Sequence, residues 1–240
     1  TPDERVGDLN AQFAANTEII LTNSAPAPFP GTPGVGVIPN VMKFIVTTDS
    51  GHTAAVPSTL RSFSPPPAAS ATRSREFMLK QVAEPCAGSQ WLINDLTWMD
   101  ITEFPRYGKT EVWSFVNQSS MTHPMHLHLV HFQVLDRQAF TIVDGQVVPS
   151  GPRAPAPASE VGWKDTVMAH PLQITRVIAK FDGYTGLYPY HCHILEHEDH
   201  EMMRQFRVVY LGDSDKNGTV NFADFGDFAK LLGLDRSVKT

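Results

Sequence analysis

Short runs in which apolar and polar positions alternate recur along most of the chain. Alternation sends successive side chains to opposite faces and marks half-buried strands. It predicts strands over 18–22 and 41–46, and then over 75–81, 90–93, 111–117, 126–135, 173–181, 187–192 and 205–210. Turn clusters such as Arg106-Tyr107-Gly108-Lys109 separate them, and the Pro-rich stretch 144–160 reads as a long loop. Seven or so short strands beyond residue 73, without helix–strand alternation, predict an all-β Greek-key sandwich. The two strands before residue 48 flank APAPFPGTPGVGVIP, which cannot be helical, and they are too few to bury a core of their own. Residues 49–72, ending in Ser62-Phe63-Ser64-Pro65-Pro66-Pro67, read as a semi-rigid linker. Helical spacing appears near the end, with apolar positions at 225, 228, 231 and 232.

Composition agrees with many short strands: of 240 residues, 42% are hydrophobic, 19 are Pro and 16 are Gly. A net charge of −6 leaves no basic footprint for nucleic acid. No apolar run is long enough to span a bilayer. Cys86 and Cys192 are too few for a disulfide framework. The chain opens Thr1-Pro2-Asp3, with neither an initiator Met nor a signal peptide, so a removed leader or a longer parent chain is expected.

Candidate chemistry is concentrated in two blocks. Residues 188–204 read YPYHCHILEHEDHEMMR, with Cys192 between His191 and His193, then His197 and Met202. Residues 123–128 read HPMHLH. On strands, His126 with His128 and His191 with His193 share faces, whereas Cys192 points the other way. His123, in a segment bent by Pro124, is free to point with Cys192. The first four can line one site; His123, Cys192, His197 and Met202 can line another. A thiolate with two imidazoles and a weak thioether is the donor set of a blue-copper centre. An H-x-H pair alone also suits iron, zinc or manganese, and zinc is a chemical alternative at Cys192, although structural zinc sites prefer several thiolates.

Together, H-P-M-H-L-H and H-C-H-I-L-E-H-E-D-H-E-M resemble the copper signatures of three-domain multicopper oxidases. The flanks THPMHLHLVHFQVLDRQ and GWKDTV are similar to the branch of bacterial spore-coat laccases, bilirubin oxidases and aminophenol oxidases. LTNSAPAPFPG and VMKFIV resemble the end of that family's second cupredoxin domain. The resemblance covers roughly residues 1–210 and implies a cupredoxin sandwich. It implies type 1 copper at His123, Cys192, His197 and Met202, type 2 copper at His126, and the type 3 pair at His128, His191 and His193. Glu198 matches a position that helps deliver protons to the oxygen site. The implied activity is one-electron oxidation of small phenolic or aminophenolic donors, coupled to reduction of dioxygen to water.

The family completes its trinuclear cluster with H-x-H motifs from a first cupredoxin domain. Here the remaining histidines, His52, His131, His170 and His200, form no such pair. The expectation is therefore a C-terminal part, inactive toward oxygen without the missing N-terminal cupredoxin domains. Residues 1–48 would end a preceding domain, 49–72 link, 73–211 form the copper-bearing domain and 212–240 follow as a separate segment. A mono-copper electron carrier without oxygen chemistry is the competing reading.

That last segment contains DSDKNGTVNFAD, residues 213–224. Oxygen-bearing side chains stand at positions 1, 3, 5, 9 and 12 and Gly218 at 6, the order of a calcium loop. The segment resembles one half of a dockerin repeat. That implies calcium at Asp213, Asp215, Asn217, Thr219 (through its carbonyl), Asn221 and Asp224. It also implies a cohesin-like partner, and the expected location is secreted, periplasmic or at the cell surface.

Overall fold

A computed structural model describes residues 13–26, 31–32, 38–47, 66–84 and 88–231. Cys86, His52 and most of the predicted linker lie outside the described residues. The chain divides into two compact units, Thr1–Ser64 and Pro65–Thr240. In the first, β1 (Glu18–Thr22) and β2 (Asn40–Ile45) pair antiparallel, with Glu18 opposite Ile45. Ile20, Leu21, Val41, Met42, Phe44 and Ile45 are all exposed.

The second unit is a sandwich of two sheets. The larger has the order β4-β3-β5-β10-β7-β8, formed by β3 (Arg73–Glu84), β4 (Gly88–Ile93), β5 (Lys109–Asn117), β7 (Phe132–Val143), β8 (Gln146–Pro155) and β10 (Gln173–Phe181). The smaller has the order β12-β11-β6-β9, formed by β6 (His123–Leu127), β9 (Thr166–Ala169), β11 (Gly186–Cys192) and β12 (Met203–Val208). Among the described strands of these sheets, β3 and β5 pair parallel and the other paired strands are antiparallel, as crossovers between two sheets produce. Alternate residues of β6 and β12 are buried, the pattern of strands with one inward face. Between the sheets Phe77, Trp113, Phe181, Tyr190 and Phe206 form an aromatic core. Trp113 meets Tyr190 and Phe206 edge-on, at 5.3 and 5.5 Å between centroids. Buried aromatics of this size make the largest contributions to burial, and truncating one costs about 3–5 kcal/mol.

Several sequence expectations need correction. The stretch 144–160 is not a long loop, because Gln146–Pro155 forms β8 and pairs with β7. Asp144 and Gly145 both have positive φ, +49° and +77°, and form the two-residue turn whose twist suits a hairpin. Pro149, Pro152 and Pro155 are tolerated because β8 is an edge strand. The single strand expected over 126–135 is two strands, β6 and β7, in different sheets, and Leu129 at φ +70° turns the chain between them. Pro124 does not bend its segment, since β6 runs unbroken through it. The strand β9 was not expected, and β12 begins earlier than the alternation predicts. At the C-terminus α2 spans Phe222–Leu231. No helix among the described residues is long and apolar enough to cross a membrane.

Candidate metal centre

Strand register brings the two chemical blocks together. In the β6–β11 pair, His126 stands opposite His191 and Met125 opposite Cys192. His123, Met125 and Leu127 therefore face inward with Tyr190 and Cys192, and are buried with them. His126, His128, His191 and His193 belong to the other side.

The inward group is tight. Cys192 Sγ lies 3.5 Å from His123 Nδ1 and 3.6 Å from His197 Nδ1, and the two nitrogens are 3.2 Å apart. The point equidistant from these three atoms is about 2.0 Å from each, close to the bond lengths of a first-row metal held by imidazole and thiolate. His197 reaches this position from a single helical turn, α1 (Leu195–Glu198), which directly follows β11. The chain then folds back: Met202 N–H donates to the His197 carbonyl, and Cys192 N–H to the Met202 carbonyl. Met202 is fully buried beside these residues.

Burial sets the protonation of the inward group. It pushes His123 down to about 3, with His197 adding to the effect. Burial also lowers His197. Cys192 is pushed up to about 12, again by burial, against a hydrogen bond from the Ile194 backbone. Both imidazoles are thus neutral lone-pair donors, and a metal that takes the thiolate must displace its proton.

Hydrogen bonds outside the triangle orient it. His123 Nε2 lies 2.7 Å from Ser119 Oγ. The buried Asn117 side chain accepts from Ser119 N–H and Oγ–H and donates to the Met121 and Ala169 carbonyls. Trp91 closes another side, its indole stacked on the His197 ring at 3.9 Å and 25°. Neither strand alternation nor ligand spacing pointed to Trp91; its place depends on β4 meeting a loop that lies far along the chain.

The second group gathers His126, His128 and His191, whose ligand nitrogens come within 4.8 Å of one another. His128 Nε2 and His191 Nε2 are 3.2 Å apart. His126 Nδ1 sits 2.9 Å from the Asp165 carbonyl and 3.1 Å from Thr166 Oγ1, which frees Nε2 for a ligand. His191 Nδ1 lies 3.1 Å from the Cys192 carbonyl and 3.3 Å from Glu198 Oε2. Burial lowers His126 and His128, and neighbouring imidazoles lower both further. His193 flanks the group and is exposed, its ring 5.6 Å from His126 and 5.5 Å from His191. His131 is exposed just before β7. His200 is exposed in the ligand loop, its Nδ1 2.6 Å from the Glu196 carbonyl.

A third group joins Asp213, Asp215 and Asp224. Asp213 accepts from the backbone N–H groups of Asn217 and Gly218, and Asp224 from those of Ser214 and Asn221. Gly218 supplies the positive φ, +95°, that the turn requires. Asn217 Nδ2 reaches Asp215, and Asn221 Oδ1 caps α2 at Ala223 N–H.

A family model for multicopper oxidases matches residues 75–210. A laccase of Bacillus subtilis is 49% identical over 123 residues, which are 49% of this chain and 24% of that protein. A laccase of Bacillus stratosphericus is 39% identical over 219 residues, covering 87% of this chain and 42% of its own length. Among solved structures, the McoA multicopper oxidase of Aquifex aeolicus superposes with a TM-score of 0.59 at 27% identity, over 82% of this chain and 41% of that one. The sandwich is therefore of the cupredoxin type. The chain spans less than half the length of each of these relatives.

Proposed function

Because the chain belongs to the multicopper oxidase family, we propose that it is the copper-bearing C-terminal part of a laccase-like, three-domain oxidase. In this reading His123, Cys192, His197 and Met202 hold a mononuclear type 1 copper. His126 contributes to a type 2 copper, and His128, His191 and His193 to a type 3 pair. The observation that carries the reading is the run His191-Cys192-His193, which joins two separate ligand groups through consecutive residues of one strand end. A thiol with two neutral, convergent imidazoles fits copper better than a hard cation.

Copper held there would supply one-electron redox chemistry, coupling oxidation of a phenolic or aminophenolic donor to reduction of dioxygen to water in the intact protein. The chain's own residues prepare that chemistry. Buried walls keep water from Cys192, and Ser119 orients His123. The Asp165 carbonyl directs His126, and the Cys192 carbonyl directs His191, the residue before it. Glu198, half-buried and 3.3 Å from His191 Nδ1, can hold a proton beside the outer group. The remaining cluster ligands would come from N-terminal cupredoxin domains. Residues 1–48 would then end the domain before this one and 49–72 would link it to 73–211; the exposed apolar side chains of β1 and β2 support a missing partner.

The test is to load the full chain with copper. One tightly held copper per chain, an intense thiolate-to-copper colour and no oxygen uptake are expected. Colour that survives Cys192→Ser would refute the mononuclear assignment. Reduction of oxygen to water by this chain alone would refute the need for further domains and favour a complete enzyme.

A second reading concerns residues 212–240. The aspartate group, with Gly218 at the turn, supports a calcium loop that uses Asp213, Asp215, Asn217, the Thr219 carbonyl, Asn221 and Asp224. The segment would be a dockerin-like attachment to a cohesin-like partner, in a protein that works outside the cytoplasm. Calcium titration of the full chain tests it, and the absence of calorimetric binding at millimolar calcium would exclude it.

A further inference from the structure

The two imidazoles of the mononuclear group are held by different means. His123 is fixed by Ser119 Oγ at its Nε2, the usual arrangement in which a ligating histidine uses its second nitrogen for an orienting hydrogen bond. His197 lacks that bond. Its Nδ1 faces Cys192 and His123, and no protein hydrogen bond reaches its Nε2 among the described residues. The ring is carried on a single helical turn, where rotation about its two side-chain torsions would carry Nδ1 away from the thiol.

What bounds that ring is Trp91. The indole stacks on His197 at 3.9 Å between centroids with 25° between planes, and meets His123 edge-on at 5.2 Å and 67°. Trp91 is 6% exposed, so the stack excludes water from that side. Its place is itself secured. Trp91 N–H donates to the His200 carbonyl at 2.9 Å, within the loop that carries His197. Further along, Trp98 N–H donates to Glu201 Oε2, and Gln205 Nε2–H to the Trp98 carbonyl. The edge strand β4 and the turn after it are therefore stapled to the loop between His197 and β12 and to β12 itself.

We infer that Trp91 is a positioning residue for the mononuclear site. Its indole holds the His197 imidazole with Nδ1 toward Cys192, in place of the hydrogen bond that ring lacks, and so sets the affinity and ligand geometry of the site. The inference rests on the copper reading of that site, but it makes a separate statement about the metal-free protein.

The experiment compares the full chain with its W91L and W91F variants, with and without copper. In the metal-free wild type, a single sharp set of His197 ring resonances, displaced upfield by the indole, is expected by NMR. W91L is expected to lose the displacement and broaden. It is also expected to bind copper about 10–100-fold more weakly in chelator competition, the usual effect of removing an outer partner of a ligating histidine. Its copper hyperfine splitting in EPR should change as well. W91F keeps an aromatic face and is expected to restore most of the affinity. Wild-type affinity and EPR parameters in W91L would overturn the inference, as would unaltered His197 resonances. If the wild type takes up no copper yet its ring resonances respond to W91L as described, the copper reading fails and the role of Trp91 stands. Should W91L not fold, the wild type still decides: averaged, undisplaced His197 resonances in the metal-free chain would overturn the inference.

Discussion

Glu103→Gln is expected to destabilise the sandwich far more than the loss of one surface carboxylate would. Arg204 is fully buried and Glu103 is 5% exposed. The guanidinium lies 3.1 Å from Glu103 Oε2, and it also donates to the Asp100 carbonyl at 2.7 Å and to Thr102 Oγ1 at 2.9 Å. Tyr190 OH donates to the same carboxylate at 3.2 Å. Glutamine keeps the shape and one acceptor but removes the carboxylate that balances a positive charge taken out of water. Breaking a buried pair by removing one partner costs about 3–5 kcal/mol, and the retained acceptor places this case near the lower end, about 3 kcal/mol. Replacing both partners by Glu103→Leu with Arg204→Met should recover part of that loss, because no unpaired charge remains, while the buried Tyr190 hydroxyl still loses its acceptor. Urea unfolding of the metal-free chain, followed by tryptophan fluorescence, measures both without a contribution from copper binding. A cost below about 1 kcal/mol for Glu103→Gln would refute the reasoning, since it would mean that Arg204 is solvated or otherwise compensated. The perturbation reaches the metal centre because Arg204 pairs across from Tyr190, two residues before Cys192.

Further outcomes follow from the same geometry. Ser119→Ala should leave the fold intact but weaken copper binding at the mononuclear site about tenfold, as for other outer partners of ligating histidines, measured by chelator competition; unchanged affinity would show that the 2.7 Å contact orients nothing. Met202→Leu should retain copper and shift its reduction potential, measured by redox titration, because an axial thioether tunes such sites; an unchanged potential would make Met202 a packing residue only. Asp224→Ala should abolish calcium-dependent protection of residues 213–224 from limited proteolysis, and equal protection in the variant would remove Asp224 from the loop's ligand set.

The two-sided arrangement of candidate ligands was legible because strand periodicity is rigid. With 126–135 and 187–192 read as strands, the pleat sets the parity of His126, His128, His191 and Cys192, although the strand in fact runs over His123–Leu127 and His128 lies just past it. Local exceptions were not legible. Nothing in the alternation marks Leu129 as the residue that takes positive φ and sends β6 and β7 into different sheets. The prolines of β8 argued for a loop, and only the strand's place at the sheet edge makes them harmless. Asp144-Gly145 was a readable hairpin signal, obscured by those prolines. Trp91, Ser119 and Asn117 escaped notice for a different reason. Trp91 acts on His197 from another element, and spacing along one chain does not encode which edge strand meets which loop; Ser119 and Asn117 sit just before His123 in sequence, but no motif marks their turn as its orienting partner. The grouping of His197 with Cys192 came from the donor set a metal needs, since it sits on a helical turn to which strand parity does not extend.

The most direct test of the copper assignment is a crystal structure of the copper-loaded chain with diffraction collected on both sides of the copper absorption edge. The expected result is one strong anomalous peak enclosed by Cys192 Sγ, His123 Nδ1 and His197 Nδ1, about 2 Å from the nitrogens, with at most partial density beside His126, His128 and His191. A fully loaded chain with no peak within bonding distance of Cys192 Sγ would contradict the assignment.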